Sequence, residues 1–98
     1  MNLWYNLFGG LMIDDIFLKN LPTIDLHGYD RDSARVKVED FIKENVIMRN
    51  NKIVIIHGIG EGIVKKSVHE VLKKSHWVEK FEIDIYNEGC TVVWIKFD

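Results

Sequence analysis

Polar and apolar residues alternate from Thr23 to His27, which is the pattern of a β-strand with one face in water. After Gly28, apolar residues recur at helical steps of four, three and one. We therefore predict a helix that is capped by Asp30 or Asp32 and runs to about Met48. The apolar positions of this helix are Ala34, Val38, Phe41 and Ile42.

Two further elements and a hairpin follow along the chain. The run from Ile53 to Ile56 is β-branched throughout, as in a buried central strand. Beyond the glycines of residues 58–62, helical spacing returns, and its apolar positions are Val64, Val68, Val71 and Leu72. Alternating runs over 81–86 and 91–97, joined by a turn at 87–89, predict a terminal β-hairpin.

The predicted order of elements is β-α-β-α-β-β. Because crossovers between parallel strands are right-handed, both helices should lie on one face of the sheet. We predict the α/β class and, within it, an α+β two-layer sandwich. Its four-stranded mixed sheet carries both helices on one face and leaves the other face partly open. We assign residues 1–21 to an N-terminal arm and residues 22–98 to the domain.

Length, charge and cysteine content limit the possible classes of protein. A chain of 98 residues that is 47% hydrophobic fits one compact domain. Its net charge of −2 argues against a protein that coats nucleic acid by bulk electrostatics. The lone Cys90 cannot form an internal disulfide, which favours a cytoplasmic location. The apolar residues 1–11 are too few for a membrane span, so no membrane partner is expected.

Titratable side chains lie where the first two strands end. Asp25 and His27 close the first strand, and His57 follows the second. In open α/β sheets, ligands bind at this end of the strands. We expect these three side chains to share one exposed ledge, because the residues expected to face the helices are Ile24, Leu26, Val54 and Ile56.

The glycine segment predicts a phosphate site at the start of the second helix. Gly58, Gly60 and Gly62 permit positive φ and a close approach of a ligand, and the amides at a helix N-terminus attract anions. Lys65 and Lys66 on the first helical turns would add positive charge. Two alternatives remain open. One is a structural corner only, and the other is a Rossmann nucleotide site that uses Glu82 or Asp84 for the ribose.

Aromatic and basic residues predict a second contact surface on the open face of the sheet. Trp94, Lys96 and Tyr86 should lie there, where bases can stack on rings and phosphates can meet a cation. In the alternative, aromatic residues of the arm cover this face, and those residues are Trp4, Tyr5 and Phe8. We expect His69 and His76 to be solvated surface groups.

The ledge allows other chemistry. Asp25, His27 and His57 could together bind one divalent metal, although their spacing is not diagnostic of a metal site. In a purely structural alternative, Asp25 caps a turn and one of the histidines hydrogen-bonds a nearby carbonyl.

Two segments together resemble the signatures of the small MutS-related (Smr) domain. They are Asp-Leu-His-Gly at Asp25–Gly28 and His-Gly-x-Gly-x-Gly at His57–Gly62, and the resemblance covers residues 22–97. It implies a two-layer fold similar to the C-terminal domain of translation initiation factor three, with the last strand antiparallel to the others.

The resemblance also implies an endonuclease that acts on messenger RNA at stalled ribosomes or on branched or nicked DNA. Asp25 and His27 match the proposed catalytic pair of the family, and Gly28 lies beside them. His57 and the glycines through Gly62 match the second signature of the family, which lies at the phosphate. In the acid-base mechanism that we expect, His27 is the general base or acid, Asp25 orients it, and His57 is the second proton carrier. No cofactor is required by catalysis of this kind. The alternative is a non-catalytic module that binds nucleic acid, a ribosome or a repair complex. Members of the family often carry a glycine-rich segment before the last strand, and in this chain only residues 88–91 correspond to it.

Overall fold

The computed structural model describes residues 20–60 and 62–97. The predicted arm, with its aromatic residues, lies almost entirely outside this range. The described elements are β1 (Thr23–Asp25), α1 (Arg31–Ile47), β2 (Lys52–Ile56), α2 (Ile63–Lys74), β3 (Val78–Asp84) and β4 (Asn87–Ile95). None of the helices in the described residues is long and apolar enough to cross a membrane.

The four strands form one mixed sheet in the order β1-β2-β4-β3. β1 and β2 are parallel, and β4 runs antiparallel to both of its neighbours, β2 and β3. The predicted α+β fold is confirmed, including the antiparallel last strand. The order places the ends of β1 and β2 side by side, with the beginning of β4 next to them.

Both helices pack on one face of this sheet, as predicted. Their apolar residues and the inward residues of the strands form a single core, which contains Leu26, Ala34, Val38, Ile42, Ile53, Ile55, Val68, Val71, Leu72, Val93 and Ile95. α1 begins where the Asp30 carboxylate accepts a hydrogen bond from the Ser33 N–H at 2.7 Å, which is the predicted N-cap.

The inward face of β2 is the reverse of the prediction. Ile53 and Ile55 face the helices, whereas Val54 and Ile56 lie on the opposite face. The run is β-branched at every position, so it contains no polar and apolar alternation that could indicate which residues face the helices. The pairing of Ile24 with Ile55 shows the correct face.

The hairpin turn also differs from the prediction. It consists of residues 85–86, so β4 already begins at Asn87 and Tyr86 lies at the tip rather than on the sheet face. The Asp84 carboxylate accepts the Tyr86 N–H at 3.2 Å and stabilises this early turn. The shift places Gly89 inside the strand, next to the end of β2.

Candidate functional site

Asp25 and His27 lie at the carboxyl end of β1, and both are exposed. The strand ends at Asp25, two residues earlier than predicted, because the Asp25 carboxylate accepts the His27 N–H at 2.9 Å. The Tyr29 N–H donates to the Leu26 carbonyl at 3.0 Å, and Gly28 supplies a φ of +83°. Asp25 therefore caps the turn that presents the His27 imidazole to solvent.

His57 does not share this ledge, so the prediction of three side chains on one exposed surface is wrong. Its side chain lies on the helix side of the sheet and is only 7% exposed. Nδ1 is 2.9 Å from the Gly58 carbonyl, and Nε2 is 2.7 Å from the Thr91 hydroxyl. Both ring nitrogens are thus engaged within the protein. The reversed face of β2 is the reason, because His57 continues the inward positions of Ile53 and Ile55.

His69 on α2 joins His57 in a cluster that the sequence analysis missed. Its side chain is half-buried rather than solvated, and its Nε2 lies 2.9 Å from the Thr91 hydroxyl. The ring meets the edge of His57 at 5.7 Å between centroids and lies 5.0 Å from the Phe81 ring. The other late histidine, His76, is exposed as expected.

One arrangement of protons satisfies the whole cluster. His57 Nδ1–H donates to the Gly58 carbonyl, and the Thr91 hydroxyl donates to His57 Nε2. The Thr91 oxygen then accepts from His69 Nε2–H. Thr91 is fully buried, so its hydroxyl depends on the two imidazoles for hydrogen bonds. We call His57, His69 and Thr91 the imidazole cluster.

The environment keeps both imidazoles of the cluster neutral at neutral pH. Burial lowers the pKa of His57 below its usual 6.5, Lys65 lowers it further, and the Gly58 carbonyl opposes the effect. Burial also lowers the pKa of His69, with repulsion from His57, Lys65 and Lys73 adding to the shift. The positive charge near this part of α2 therefore comes from the ammonium groups of Lys65 and Lys73.

The glycine corner between β2 and α2 is held by Gly89, a residue that the sequence analysis placed in the hairpin turn. The Gly89 carbonyl accepts the His57 N–H at 2.8 Å and the Gly58 N–H at 3.0 Å. The Gly58 amide is therefore not free to bind a phosphate, contrary to the prediction. A Cβ on Gly89 would lie 3.4 Å from the Gly58 backbone and 3.2 Å from the Asn87 side-chain oxygen, so β4 packs closely on the corner at this residue.

Beyond Gly58, the corner opens into a depression of about 200 Å³ that leads to the start of α2. Gly62 is the N-cap of α2 and has a φ of +84°, which suits glycine. Among the residues that the structure describes, no side chain caps this helix end, so none of them satisfies the first amides of α2 as a cap. Lys65 lines the same depression, and Lys66 is exposed beside it. The free amides and the two lysines therefore lie together at the start of α2, where the sequence predicts an anion site.

Trp94 lies on the open face of the sheet, as predicted, but at the opposite end from Asp25. It pairs with Lys52, the first residue of β2, whereas Asp25 lies level with the last residue of β2. The separation is about 13 Å along β4 at the usual rise of a strand. The ammonium groups of Lys80 and Lys52 lie 4.4 and 5.2 Å from the centre of the Trp94 ring.

Lys96 is exposed next to this end of the sheet, and its N–H donates to the Trp77 carbonyl at 2.9 Å. The structure therefore separates the predicted contacts into two groups. Asp25, His27 and the glycine corner lie at one end of the sheet, and Trp94 and Lys96 lie at the other.

Two alternatives from the sequence can be compared with the coordinates. Across residues 20–60 and 62–97, no three His, Cys, Asp or Glu side chains are grouped so that they could hold a metal ion. The Rossmann alternative fails because β3, which carries Glu82 and Asp84, is separated from β2 by the antiparallel β4.

Comparison with known proteins gives a consistent result. The family model of the Smr domain matches residues 24–96. The chain is 37% identical over 78 residues to a protein named endonuclease MutS2 from Ligilactobacillus salivarius, a match that covers 76% of this chain. It is 36% identical over 76 residues to the protein of that name from Finegoldia magna, covering 74% of this chain. The chain spans about a tenth of the length of these relatives.

Solved structures share the fold. The Smr domain of Thermus thermophilus MutS2 superposes with a TM-score of 0.76 at 24% identity, covering 78% of this chain and 99% of that one. YdaL, a stand-alone small MutS-related protein from Escherichia coli, gives a TM-score of 0.72 at 20% identity, covering 76% of this chain and 63% of that one.

Proposed function

The chain belongs to the Smr domain family, and from that premise we propose that it is an endonuclease that cleaves phosphodiester bonds in nucleic acid. The relatives that it matches at 36–37% identity are named endonucleases, which supports this class of activity. The observation that carries the proposal is the turn at the end of β1, where the Asp25 carboxylate holds the His27 backbone at 2.9 Å. That turn leaves an imidazole exposed beside a carboxylate.

His27 is the proton carrier in this mechanism. Imidazole titrates near neutral pH, so it can take a proton from an attacking oxygen under ordinary conditions. The Asp25 carboxylate fixes the turn by accepting the His27 backbone N–H. A group of this kind typically contributes about 10²-fold to 10⁴-fold to a rate.

RNA is the substrate for which these residues suffice. The ribose 2′-oxygen attacks the adjacent phosphorus and passes its proton to His27, and the bond from phosphorus to the 5′-oxygen breaks. The 5′-oxygen takes a proton from solvent, so the products are a 2′,3′-cyclic phosphate and a 5′-hydroxyl. Cleavage of branched or nicked DNA would need water as the nucleophile, and it is tested as a separate arm below.

The glycine corner and the start of α2 bind the phosphate in this proposal. The amides beyond Gly58 and the ammonium groups of Lys65 and Lys66 offset negative charge that develops on the phosphoryl oxygens. His57 holds the corner in place, because its Nδ1 binds the Gly58 carbonyl and its side chain is buried. We therefore assign His57 a positioning role rather than contact with the substrate.

A non-catalytic module is the second candidate. The phosphate-binding groups lie on β2 and α2, and they are separate from the Asp25 turn on β1. They could bind nucleic acid, including RNA on a ribosome, without any cleavage. Salt-sensitive binding by a wild-type protein that cuts neither RNA nor DNA would support this second candidate.

Two substitutions at Asp25 test the role of its charge. Asp25→Asn keeps an oxygen that can accept the His27 N–H but removes the negative charge, whereas Asp25→Ala removes both. If the charge assists His27, we expect Asn to slow cleavage about tenfold and Ala to slow it further. Single-turnover cleavage of a labelled RNA and of a branched DNA, each with and without EDTA, gives the rates.

The pair of variants distinguishes catalysis from turn formation. Wild-type rates in Asp25→Asn, together with slow cleavage in Asp25→Ala, would mean that Asp25 only shapes the turn. Unchanged rates in both variants would reject the site. Loss of activity on addition of EDTA would show a metal requirement, which the acid-base mechanism does not contain.

A further inference from the structure

The basic surface of α2 continues well beyond the glycine corner. Lys65, His69 and Lys73 are four residues apart, so they lie on one face of the helix and follow each other along its axis. A depression of about 320 Å³ runs along this face and is lined by Gly62, Lys65, Lys66, His69, Glu70 and Lys73. It shares Gly62 and Lys65 with the depression at the glycine corner. The two depressions therefore adjoin at these two residues.

We infer that His69 and Lys73 bind a second backbone phosphate, next to the phosphate at the glycine corner, and that the imidazole cluster holds His69 for this contact. The inference rests on the proposed function, because it assumes that the ligand is a nucleic acid strand with phosphates in series. It assigns His69 to binding, not to the chemical step.

The imidazole cluster determines which nitrogen of His69 a ligand can use. Nε2 donates to the Thr91 hydroxyl at 2.9 Å, and His57 satisfies the other side of that hydroxyl. Within the described residues, no hydrogen bond is found at His69 Nδ1, and the half-buried ring lines the depression. Nδ1 is therefore the nitrogen available to a phosphate oxygen, which it binds as an N–H donor once the ring is protonated.

Charge around His69 favours an anion. The groups that face it are His57 from the end of β2, Lys65 and Lys73 from α2, and the neutral Thr91 and Phe81 from β4 and β3. Glu70 is the acidic residue that lines the depression, and it is exposed. Burial lowers the pKa of His69, and repulsion from His57, Lys65 and Lys73 lowers it further, so a bound phosphate would raise that pKa again.

This linkage gives the binding a defined dependence on pH. In the free protein, His69 is mostly neutral above its usual pKa of 6.5, because its pKa is lowered. The phosphate complex favours the protonated ring, so binding takes up a proton and strengthens as the pH falls through the slightly acidic range. A purely structural role for His69 predicts no such gain in affinity, because protonation at Nδ1 leaves the hydrogen bond from Nε2–H to Thr91 in place.

The test measures binding of a fluorescent RNA oligonucleotide whose 2′-hydroxyls are methylated, so that it cannot be cleaved. We expect Lys73→Gln to weaken binding about threefold to tenfold, as is usual for an exposed charge-assisted contact, and to lower the salt slope by about 0.7. The matched control is Lys74→Gln, because Lys74 lines the groove between α1 and α2 instead of this depression. It should change affinity less than twofold.

A second variant tests His69 directly. His69→Gln keeps an amide that can donate to Thr91 but has no group that titrates in this range, so the gain in affinity between about pH 7.5 and about pH 5.5 should disappear. Thermal unfolding of each variant confirms that it is folded. The inference is overturned if Lys73→Gln equals Lys74→Gln, or if His69→Gln keeps the wild-type pH dependence.

Failure of this inference and failure of the proposed function are distinguishable. Binding that depends on Lys73 and His69 without any cleavage would support the second subsite and reject the nuclease. Cleavage that depends on His27, with no effect of Lys73 on affinity, would support the nuclease and reject the second subsite.

Discussion

Replacing His27 with alanine is expected to slow cleavage of RNA by about 10²-fold to 10⁴-fold, because the variant lacks the group that carries the proton. The backbone of the turn should survive, since the Asp25 carboxylate accepts the His27 N–H and not its side chain. His27 is exposed, so its removal leaves no cavity in the core. The measurement is the single-turnover rate on a labelled RNA with substrate bound to saturation.

His76→Ala is the matched control for this variant. His76 is also exposed, but it follows α2 and its ring packs against Trp77, 4.9 Å between centroids. We expect it to cleave at the wild-type rate. Wild-type cleavage by His27→Ala would contradict the proposed mechanism, and equal losses in both variants would mean that the loss does not come from the His27 imidazole.

Replacing Thr91 with valine is expected to lower the free energy of unfolding by about 1–3 kcal/mol, the usual cost of leaving buried polar groups unpaired. The change conserves shape but removes the hydroxyl that joins His57 Nε2 to His69 Nε2 at 2.7 and 2.9 Å. Because Thr91 is fully buried, no water replaces the hydroxyl without rearrangement. Urea unfolding followed by circular dichroism measures the loss.

Thr91→Ser separates the hydroxyl from the methyl group. It keeps the hydrogen bonds and loses one methyl, at a cost of about 1 kcal/mol. The nitrogen chemical shifts of the His57 and His69 rings give a second readout, which should stay at wild-type values in the serine variant and change in the valine variant. Unchanged ring shifts in Thr91→Val would contradict the cluster as described.

Local signals in the sequence were sufficient for the fold. The Asp30 cap and the helical spacing after it gave α1 to within a residue, because a side-chain cap and an amphipathic stripe both act within a few turns. Crossover handedness then placed both helices on one face. The double motif at residues 25–28 and 57–62 identified the family.

The site could be predicted only in part. The position of His57 depends on which face of β2 is inward, and a run that is buried on both faces does not encode that choice. The pairing of Ile24 with Ile55 decides it, and pairing is a property of two distant segments. One available signal was overlooked. Thr91 alternates with Val93 and Ile95, which places a hydroxyl on the helix side and calls for a partner such as His69.

Gly89 illustrates a contact that depends on long-range geometry. In sequence it is the remnant of a glycine-rich segment, and nothing nearby indicates a partner. In the structure its carbonyl accepts hydrogen bonds from the N–H groups of His57 and Gly58, because β4 pairs with β2. The shortened segment therefore retains a glycine that packs against Gly58.

The proposals for this protein all require that nucleic acid binds at the carboxyl ends of β1 and β2. Amide chemical shifts, followed by NMR during titration with the 2′-O-methylated RNA oligonucleotide, locate the bound strand. We expect the largest shifts on His27, Gly28 and residues 59–65, with little change around Trp94. Shifts confined to Trp94 and Lys96, with the amides of His27 and Gly60 unmoved at saturation, would contradict it.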